Sequence, residues 1–222
     1  MSVARFDSAV NAADLNLDET CLAMSSALQR PLDEIEWLAA LDLLAGECPT
    51  PTADGVARHL FGDLGFRGNT GAYYDWRNSC LGRVIRTRVG IPISLSVLMI
   101  EVARRVGVPL VGVGMPAHFL VRTVDGPERF FDPFAGGTEL DASGARDLFA
   151  RVTRAQVPWR DDYLLPTPGL PIVVRMLNNL RAIFQARGDR LRLGLVMQMR
   201  ARVPSLAESE ADEIEAATAL FN

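Results

Sequence analysis

A long apolar segment between Gly90 and Gly107 restricts the possible folds more than any other part of the sequence. Pro92 suits the first turn of a helix, because the N–H group that proline lacks would have no intrahelical partner there. The segment stays apolar on most sides up to about Val106, and a helix that is apolar nearly all round belongs in the protein interior. The sequence therefore predicts a central helix around which the other elements pack.

Three short segments after this helix predict a small antiparallel sheet. They are Leu110–Gly114, Ala117–Thr123 and Glu128–Asp132, and the dipeptide Asp125-Gly126 between the last two is a turn signal. We expect the sheet region to end at Pro133–Gly137. Because helices are predicted before and after these strands, the fold class is α+β.

One histidine and one aspartate face each other in this hairpin if its loop is centred on Asp125. His118 then lies opposite Asp132, with Cβ atoms about 5 Å apart, and Arg122 lies opposite Glu128. A tight two-residue Asp-Gly turn would instead shift the register and place His118 and Asp132 on different faces. The opposite charges of Arg122 and Glu128 favour the first register.

Helices are predicted ahead of the central segment. Apolar periodicity indicates helices over Leu15–Leu28 and Leu32–Ala45, the second with Pro31 in its first turn, and a further helix over Gly55–Leu64. The glycines that follow, before Tyr73, predict a loop rather than a regular element. These helices would pack around the central one.

The chain returns to helical periodicity after residue 165. Helices are predicted over Leu170–Arg187, over Arg190–Val203 and over Leu206–Leu220, whose acidic residues form a solvated face. We therefore predict two units. Residues 1–165 contain the central helix and the sheet, and residues 166–222 form a helical segment.

The charge composition excludes several classes of function. All 23 basic residues among the 222 are arginine, so the chain has no lysine for a Walker-type phosphate loop, for a Schiff base or for a general base. The formal net charge of −4 provides no global basic field that would hold a nucleic-acid backbone. We expect no nucleic-acid partner.

Cysteine, histidine and the N-terminus indicate a cytoplasmic protein. Cys21, Cys48 and Cys80, together with His59 and His118, show neither a disulfide framework nor the spacing of zinc ligands. The N-terminus lacks the apolar stretch of a signal peptide, and no apolar run approaches the roughly 20 residues that span a bilayer. The sequence therefore predicts no metal, no cofactor and no membrane contact.

Seven stretches distributed over nearly the whole chain match one known family, and they are Gly65–Asn69, Tyr73–Ser79, Arg88–Ser96, Glu101–Arg105, Gly112–Arg122, Asp132–Gly137 and Arg175–Arg181. They resemble the transglutaminase-like superfamily and, more narrowly, its bacterial SirB-type branch. The resemblance implies a papain/transglutaminase-like core, in which a central helix packs on a small antiparallel sheet. It also implies that residues 166–222 form a tetratricopeptide-like helical appendage.

The resemblance further implies a catalytic triad, of which this chain keeps two members. Active relatives carry Gly-x-Cys at the start of the central helix, a strand histidine that takes the thiol proton, and an acid that orients the histidine. His118 and Asp132 match the last two positions, but Pro92 stands where the cysteine belongs. We therefore expect a pseudoenzyme that acts in binding or regulation, through its cleft and its helical appendage, on an unidentified protein or peptide partner.

Other interpretations of the same residues stay open. Ser94 or Cys80 would replace the missing thiol if its side chain reached His118, giving an amidase-like or protease-like hydrolase with Asp132 as the orienting acid. Alternatively, Ser94 bonds backbone groups at the helix start, and His118 with Asp132 simply holds two strands together. A metal-dependent hydrolase is the weakest candidate, because Asp75 would be the one additional ligand.

Four residues ahead of the central helix are candidate binding residues. Tyr74, Asp75, Arg77 and Asn78 would line the mouth of a cleft beside His118. Asp75 and Asn78, taken singly, are also typical turn and helix-cap residues. The sequence therefore predicts a cleft mouth at this loop, with a local structural role as the alternative for two of its members.

Overall fold

The N-terminal third is helical, as its apolar periodicity predicts. The computed structural model describes residues 3–29, 33–211, 213 and 218. Its first helices are α1 (Ala4–Val10), α2 (Leu17–Leu28), α3 (Glu34–Gly46) and α4 (Ala53–Ala57), and α4 continues through one π-helical turn over Arg58–Asp63. The Asp33 carboxylate accepts hydrogen bonds from the first N–H groups of α3 and thereby caps it. The predicted first turn at Pro31 and Leu32 lies outside the described residues.

The predicted central helix is confirmed as α6 (Pro92–Arg105), with proline at its first position. Most of its side chains are buried, because α2, α3, α5 (Leu81–Thr87) and the sheet all contact it. Just before it, β1 (Arg67–Gly68) pairs in parallel with β2 (Val89–Gly90). The loop expected ahead of Tyr73 therefore contains one very short strand.

A five-stranded antiparallel sheet lies beside α6. Its strands are β3 (Leu110–Val113), β4 (Leu120–Thr123), β5 (Phe130–Asp132), β6 (Thr138–Leu140) and β7 (Pro166–Thr167), arranged in the order β6-β5-β4-β3-β7. The α+β class and the three central strands are as predicted. The expectation that the sheet ends after β5 was wrong. The two outer strands are only two or three residues long, which is too short to show an alternation of apolar and polar residues in the sequence.

The β4–β5 hairpin has a register two residues away from the predicted one. Arg122 lies opposite Phe130, because the loop is centred one residue later than predicted, on a glycine with a φ of 76°. His118 was predicted within the strand, but it lies in a turn just before β4, so the register does not place it. It still meets Asp132, with Nε2 3.0 Å from Oδ1. Arg122 and Glu128 are no longer directly opposed, yet they form an ion pair at 2.9 Å.

Alternate side chains of the sheet face two different layers. Val121 and Phe131 belong to the main core with α6, whereas Leu120 and Phe130 pack into a smaller cluster with α7 (Ala142–Val152). Helix α7 was not among the helices predicted from the sequence. Because it covers the second face, the inner strands of the sheet are buried on both sides.

The C-terminal helices pack against the rest of the described chain. Helices α8 (Gly169–Arg187) and α9 (Arg190–Arg200) form a hairpin through Gly188, which has a φ of 64°, and α10 (Pro204–Ala207) follows. Buried side chains of α8 and α9 share one core with α2 and α6. The division after residue 165 stays a prediction. Helix α10 ends at Ala207, and about half of the residues of the predicted helix Leu206–Leu220 lie outside the described residues.

Candidate functional site

A buried histidine–aspartate pair is the centre of the candidate site. The Nε2 atom of His118 lies 3.0 Å from Oδ1 of Asp132, and both residues are buried. The same Oδ1 accepts hydrogen bonds from the N–H groups of Phe134 and Ala135, which fixes the carboxylate at the end of β5. In the tautomer that carries its proton on Nε2, the imidazole donates this hydrogen bond to Asp132 and Nδ1 is an acceptor.

His118 lines a cavity of about 160 Å³ at the N-terminal end of α6. Pro92 and Ile93, the first residues of that helix, line the same cavity. Ala117, next to the histidine, has a left-handed φ of 63°, an uncommon backbone conformation for a residue with a side chain. The imidazole and the Pro92 ring therefore face one space. The proline ring has no group that could attack a substrate.

Ser94 is used within the protein at the start of α6. Its Oγ donates a hydrogen bond to the Asn78 carbonyl at 2.6 Å and accepts one from the Ile91 N–H group at 3.1 Å. The side chain is fully buried. These contacts match the interpretation in which Ser94 bonds the backbone at the helix start, because its single proton is engaged by a carbonyl.

The candidate cysteine is not part of the cavity. Cys80 is fully buried, and this burial raises the pKa of its thiol to about 12, so the reactive thiolate is scarce at neutral pH. Burial also raises the pKa of the Cys21 thiol. Among the described residues that line the cavity, none is a cysteine.

The four residues predicted at the cleft mouth differ in exposure and in hydrogen bonding. Tyr74 is 73% exposed and lines an apolar groove next to the cavity. Asp75 accepts a hydrogen bond from the Arg77 N–H group and pairs with its guanidinium at 3.1 Å, and both line a neighbouring depression. Asn78 is buried and donates to two carbonyls of the preceding loop. Asn78 thus shapes the loop, and Asp75 has the turn role given as its alternative.

The groove has a volume of about 540 Å³ and adjoins the cavity. Tyr73, Ile91 and Asn179 line both spaces. The ring of Phe134 packs edge-on against the imidazole of His118 and against Tyr73, with centroid distances of 6.1 and 5.8 Å. A row of aromatic rings therefore connects the histidine–aspartate pair with the groove.

Two polar residues of α8 belong to the site although no sequence pattern had assigned them to it. Arg175 and Asn179 line the cavity beside His118. They are four residues apart and therefore lie on the same face of the helix. The available signal was the four-residue spacing of these two polar side chains, inside the stretch Arg175–Arg181 that had been matched to the family.

The described part of the chain has neither a metal-ligand cluster nor a membrane-spanning helix. That part contains no cluster of three histidine, cysteine, aspartate or glutamate side chains that could hold a metal ion. It also contains no helix with the length and apolar character needed to cross a bilayer.

Comparison with known proteins identifies a family for most of the chain. Residues 16–178 match the family model described as the transglutaminase-like superfamily. A UPF0162 protein from Xylella fastidiosa (strain 9a5c) is 47% identical over 135 residues, which are 58% of this chain and 47% of that protein. A UPF0162 protein from Pseudomonas aeruginosa is 30% identical over 192 residues, 86% of this chain and 69% of that protein.

A shorter match extends outside bacteria. F-box only protein 21 from Mus musculus is 37% identical over 103 residues, which are 42% of this chain and 16% of that protein. The chain spans about half the length of the Xylella relatives, 47% of one and 49% of the other. No solved structure gives a significant match.

Proposed function

Because this chain belongs to the transglutaminase-like superfamily and to the UPF0162 proteins, we propose that it is a member without a nucleophile that binds a peptide segment in its cleft. It would act as a binding or regulatory protein of the SirB-type branch. The helices α8 and α9 would represent the tetratricopeptide-like part, and α8 would contribute one wall of the cleft.

The position of Pro92 carries this proposal. The proline lines the same cavity as His118, while the His118–Asp132 hydrogen bond of 3.0 Å is kept. An oriented imidazole without a neighbouring thiol has no nucleophile to activate. His118 and Asp132 would then form a fixed polar side of the cavity, because Asp132 also accepts two backbone hydrogen bonds.

The contacts of the two substitute nucleophiles favour binding over hydrolysis. A hydrolase based on Ser94 would have to release the serine hydroxyl from the Asn78 carbonyl, 2.6 Å away. One based on Cys80 would have to ionise a fully buried thiol whose pKa is raised to about 12. Either change costs free energy before any substrate is bound.

The shape and chemistry of the groove suit an extended peptide. Its wall on α8 is apolar at Ala182, Ile183 and Ala186, which would contact apolar side chains, and Arg187 lies at the end of this wall. Asn179, at the junction with the cavity, carries an amide that can both donate to and accept from a peptide group. Tyr74, on the opposite side, supplies an exposed aromatic surface.

Covalent labelling tests whether a nucleophile is missing. The unaltered chain should form no adduct at Ser94 or Cys80 with a fluorophosphonate or with iodoacetamide. In a Cys48→Ala background, Pro92→Cys should introduce a thiol that iodoacetamide modifies at pH 6 about 10-fold faster than in the matched variant that also carries His118→Ala, because an adjacent imidazolium stabilises a thiolate. Mass spectrometry locates the adducts.

Two results of this labelling would contradict the proposal. An adduct at Ser94 or Cys80 that disappears with His118→Ala would show that the chain has its own nucleophile. Equal labelling of the introduced thiol with and without His118 would show that Pro92 does not occupy the nucleophile position.

Binding is tested with a pool of hexapeptides that carry fluorescein at the N-terminus, read by fluorescence anisotropy. Members of the pool should bind the unaltered chain, and Ile183→Glu should abolish binding by placing a charge in the apolar groove. Ile35→Glu is the matched control, because Ile35 is 78% exposed on α3 and does not line the groove. If no peptide binds at about 1 mM, or if both variants bind equally, the proposal is wrong.

A further inference from the structure

Arg175 is held in a fixed position at the cavity. Its Nη2 atom donates hydrogen bonds to the carbonyls of Met115 and His118, at 2.5 and 2.8 Å. Its guanidinium carbon lies 5.4 Å from the centroid of the Phe119 ring, within the range of a cation–π contact. Backbone carbonyls and an aromatic ring therefore orient the guanidinium before any ligand binds.

This cation lacks an acidic partner among the described residues. No aspartate or glutamate of the described chain forms an ion pair with Arg175, and burial lowers the pKa of its guanidinium. A partly buried charge without a counter-ion is costly, so its retention at a cavity indicates a ligand that supplies the opposite charge. A planar guanidinium matches a carboxylate in shape as well as in charge.

Two neighbouring features would assist the same ligand. The Asn179 amide lines the cavity, and the structure gives it no hydrogen-bond partner among the described residues, so it is available as a donor. The N-terminal end of the 14-residue helix α6 lies at the cavity through Pro92 and Ile93, and the positive end of a helix dipole favours an anion. The cavity of about 160 Å³ has room for about five water molecules at roughly 30 Å³ each, which is enough for a carboxylate and a few carbon atoms.

We propose that Arg175, assisted by Asn179, binds a carboxylate of the peptide that occupies the adjoining groove. The inference rests on the proposed function and adds a chemical requirement to it. The carboxylate would come from the peptide C-terminus or from an aspartate or glutamate side chain. His118 lies at the same cavity, so the former catalytic region would become an anion-recognition site.

Matched peptides separate the carboxylate from the rest of the peptide. The best fluorescein hexapeptide of the pool is compared as its free acid, as its C-terminal amide, and with its acidic side chains replaced by asparagine or glutamine. Removing the recognised carboxylate should weaken binding about 10-fold to 100-fold, since a charged hydrogen bond contributes about 1.5–3 kcal/mol. The peptide form that loses affinity identifies the source.

Variants of the protein assign this effect to Arg175. Arg175→Gln should lower the affinity for the peptide with the carboxylate to that for its neutral form. Arg175→Lys should restore part of this difference in affinity, because lysine keeps the charge without the planar fork. Arg86→Gln is the control, since Arg86 is exposed on α5 and does not line the cavity. Circular dichroism and thermal unfolding check that each variant is folded.

The outcomes distinguish this inference from the proposed function. If the unaltered chain binds acid and neutral peptides equally, or if Arg175→Gln keeps the preference for the acid, carboxylate recognition is wrong while peptide binding stands. If no peptide binds the unaltered chain, the proposed function and the inference both fail. Preference for a carboxylate that depends on Arg175 and not on Arg86 supports the inference.

Discussion

Arg105 and Arg175 are both partly buried, but they have opposite surroundings. Arg105 lies between carboxylates, with Asp18 at 2.6 Å, Asp42 at 2.7 Å and Glu101 at 3.0 Å. Arg175 contacts two backbone carbonyls and an aromatic ring. Since a fully paired charge can hold helices together whereas an unpaired one adds free energy, we assign Arg105 to the fold and Arg175 to the site.

The largest loss of stability is expected when an ion pair is broken in the network formed by Asp18, Glu101, Arg104 and Arg105. Asp18 joins α2 to the end of α6 through Arg104 and Arg105, and its side chain is 3% exposed. Asp18→Asn should lower the free energy of unfolding at pH 7 by about 3 kcal/mol, because it leaves the partly buried Arg105 with one carboxylate fewer. Urea denaturation followed by circular dichroism measures this loss.

Glu101→Gln is the matched control within the same network. Burial and the neighbouring charge of Asp18 raise the pKa of Glu101, so its ionised form contributes less to stability than that of Asp18. We expect this variant to lose less than half as much free energy as Asp18→Asn. Equal losses would mean that the two carboxylates are equivalent, and the network would need another explanation.

The central helix and the hairpin could be predicted because their signals are local. Continuous apolarity indicates that α6 is buried, and the opposite charges of Arg122 and Glu128 place two strands together, although the register was off by two residues. His118 and Asp132 were paired correctly although His118 precedes β4 instead of lying within it. The proximity of the two residues was therefore easier to predict than the exact register.

The outer strands and the α8 wall of the site could not be derived in this way. Strand β7 consists of Pro166 and Thr167, and proline usually indicates the end of regular structure, so its pairing with β3 depends on tertiary contacts. Arg175 reaches Met115 and His118 across 60 and 57 residues. Such contacts depend on how α8 packs, which no local periodicity specifies.

The losses of unfolding free energy caused by Asp18→Asn and by Glu101→Gln should change with pH in opposite directions. Burial alone would raise the pKa of Asp18, but hydrogen bonds from Arg105 and from the Glu19 N–H group lower it below its ordinary value of 3.8. The stability from ionised Asp18 is therefore present above about pH 4 and is lost as the pH falls through the lower folded-state pKa. The difference in stability between the unaltered chain and Asp18→Asn should therefore shrink on acidification.

Glu101 should show the reverse trend. Its folded-state pKa is raised above 4.5, so its contribution is complete below that value and declines as the pH rises through the folded-state pKa. The loss caused by Glu101→Gln should therefore be larger near pH 4 than at pH 7. Urea titrations at several pH values give both slopes, and parallel slopes would contradict the assignment of the two carboxylates.

The smallest effect is expected at Arg175, and it is the sharpest test of the contrast between the two arginines. Arg175→Met removes the hydrogen bonds to Met115 and His118, each worth about 1 kcal/mol, but it also removes a partly buried charge that lacks a counter-ion. These contributions oppose each other, so the free energy of unfolding without ligand should change by less than about 1 kcal/mol in the urea assay used for Asp18→Asn. A loss above about 2 kcal/mol would mean that Arg175 clamps the β3–β4 turn to α8 as part of the fold. A near-neutral result would mean that the chain keeps this cation for reasons other than its own stability, as a binding site requires.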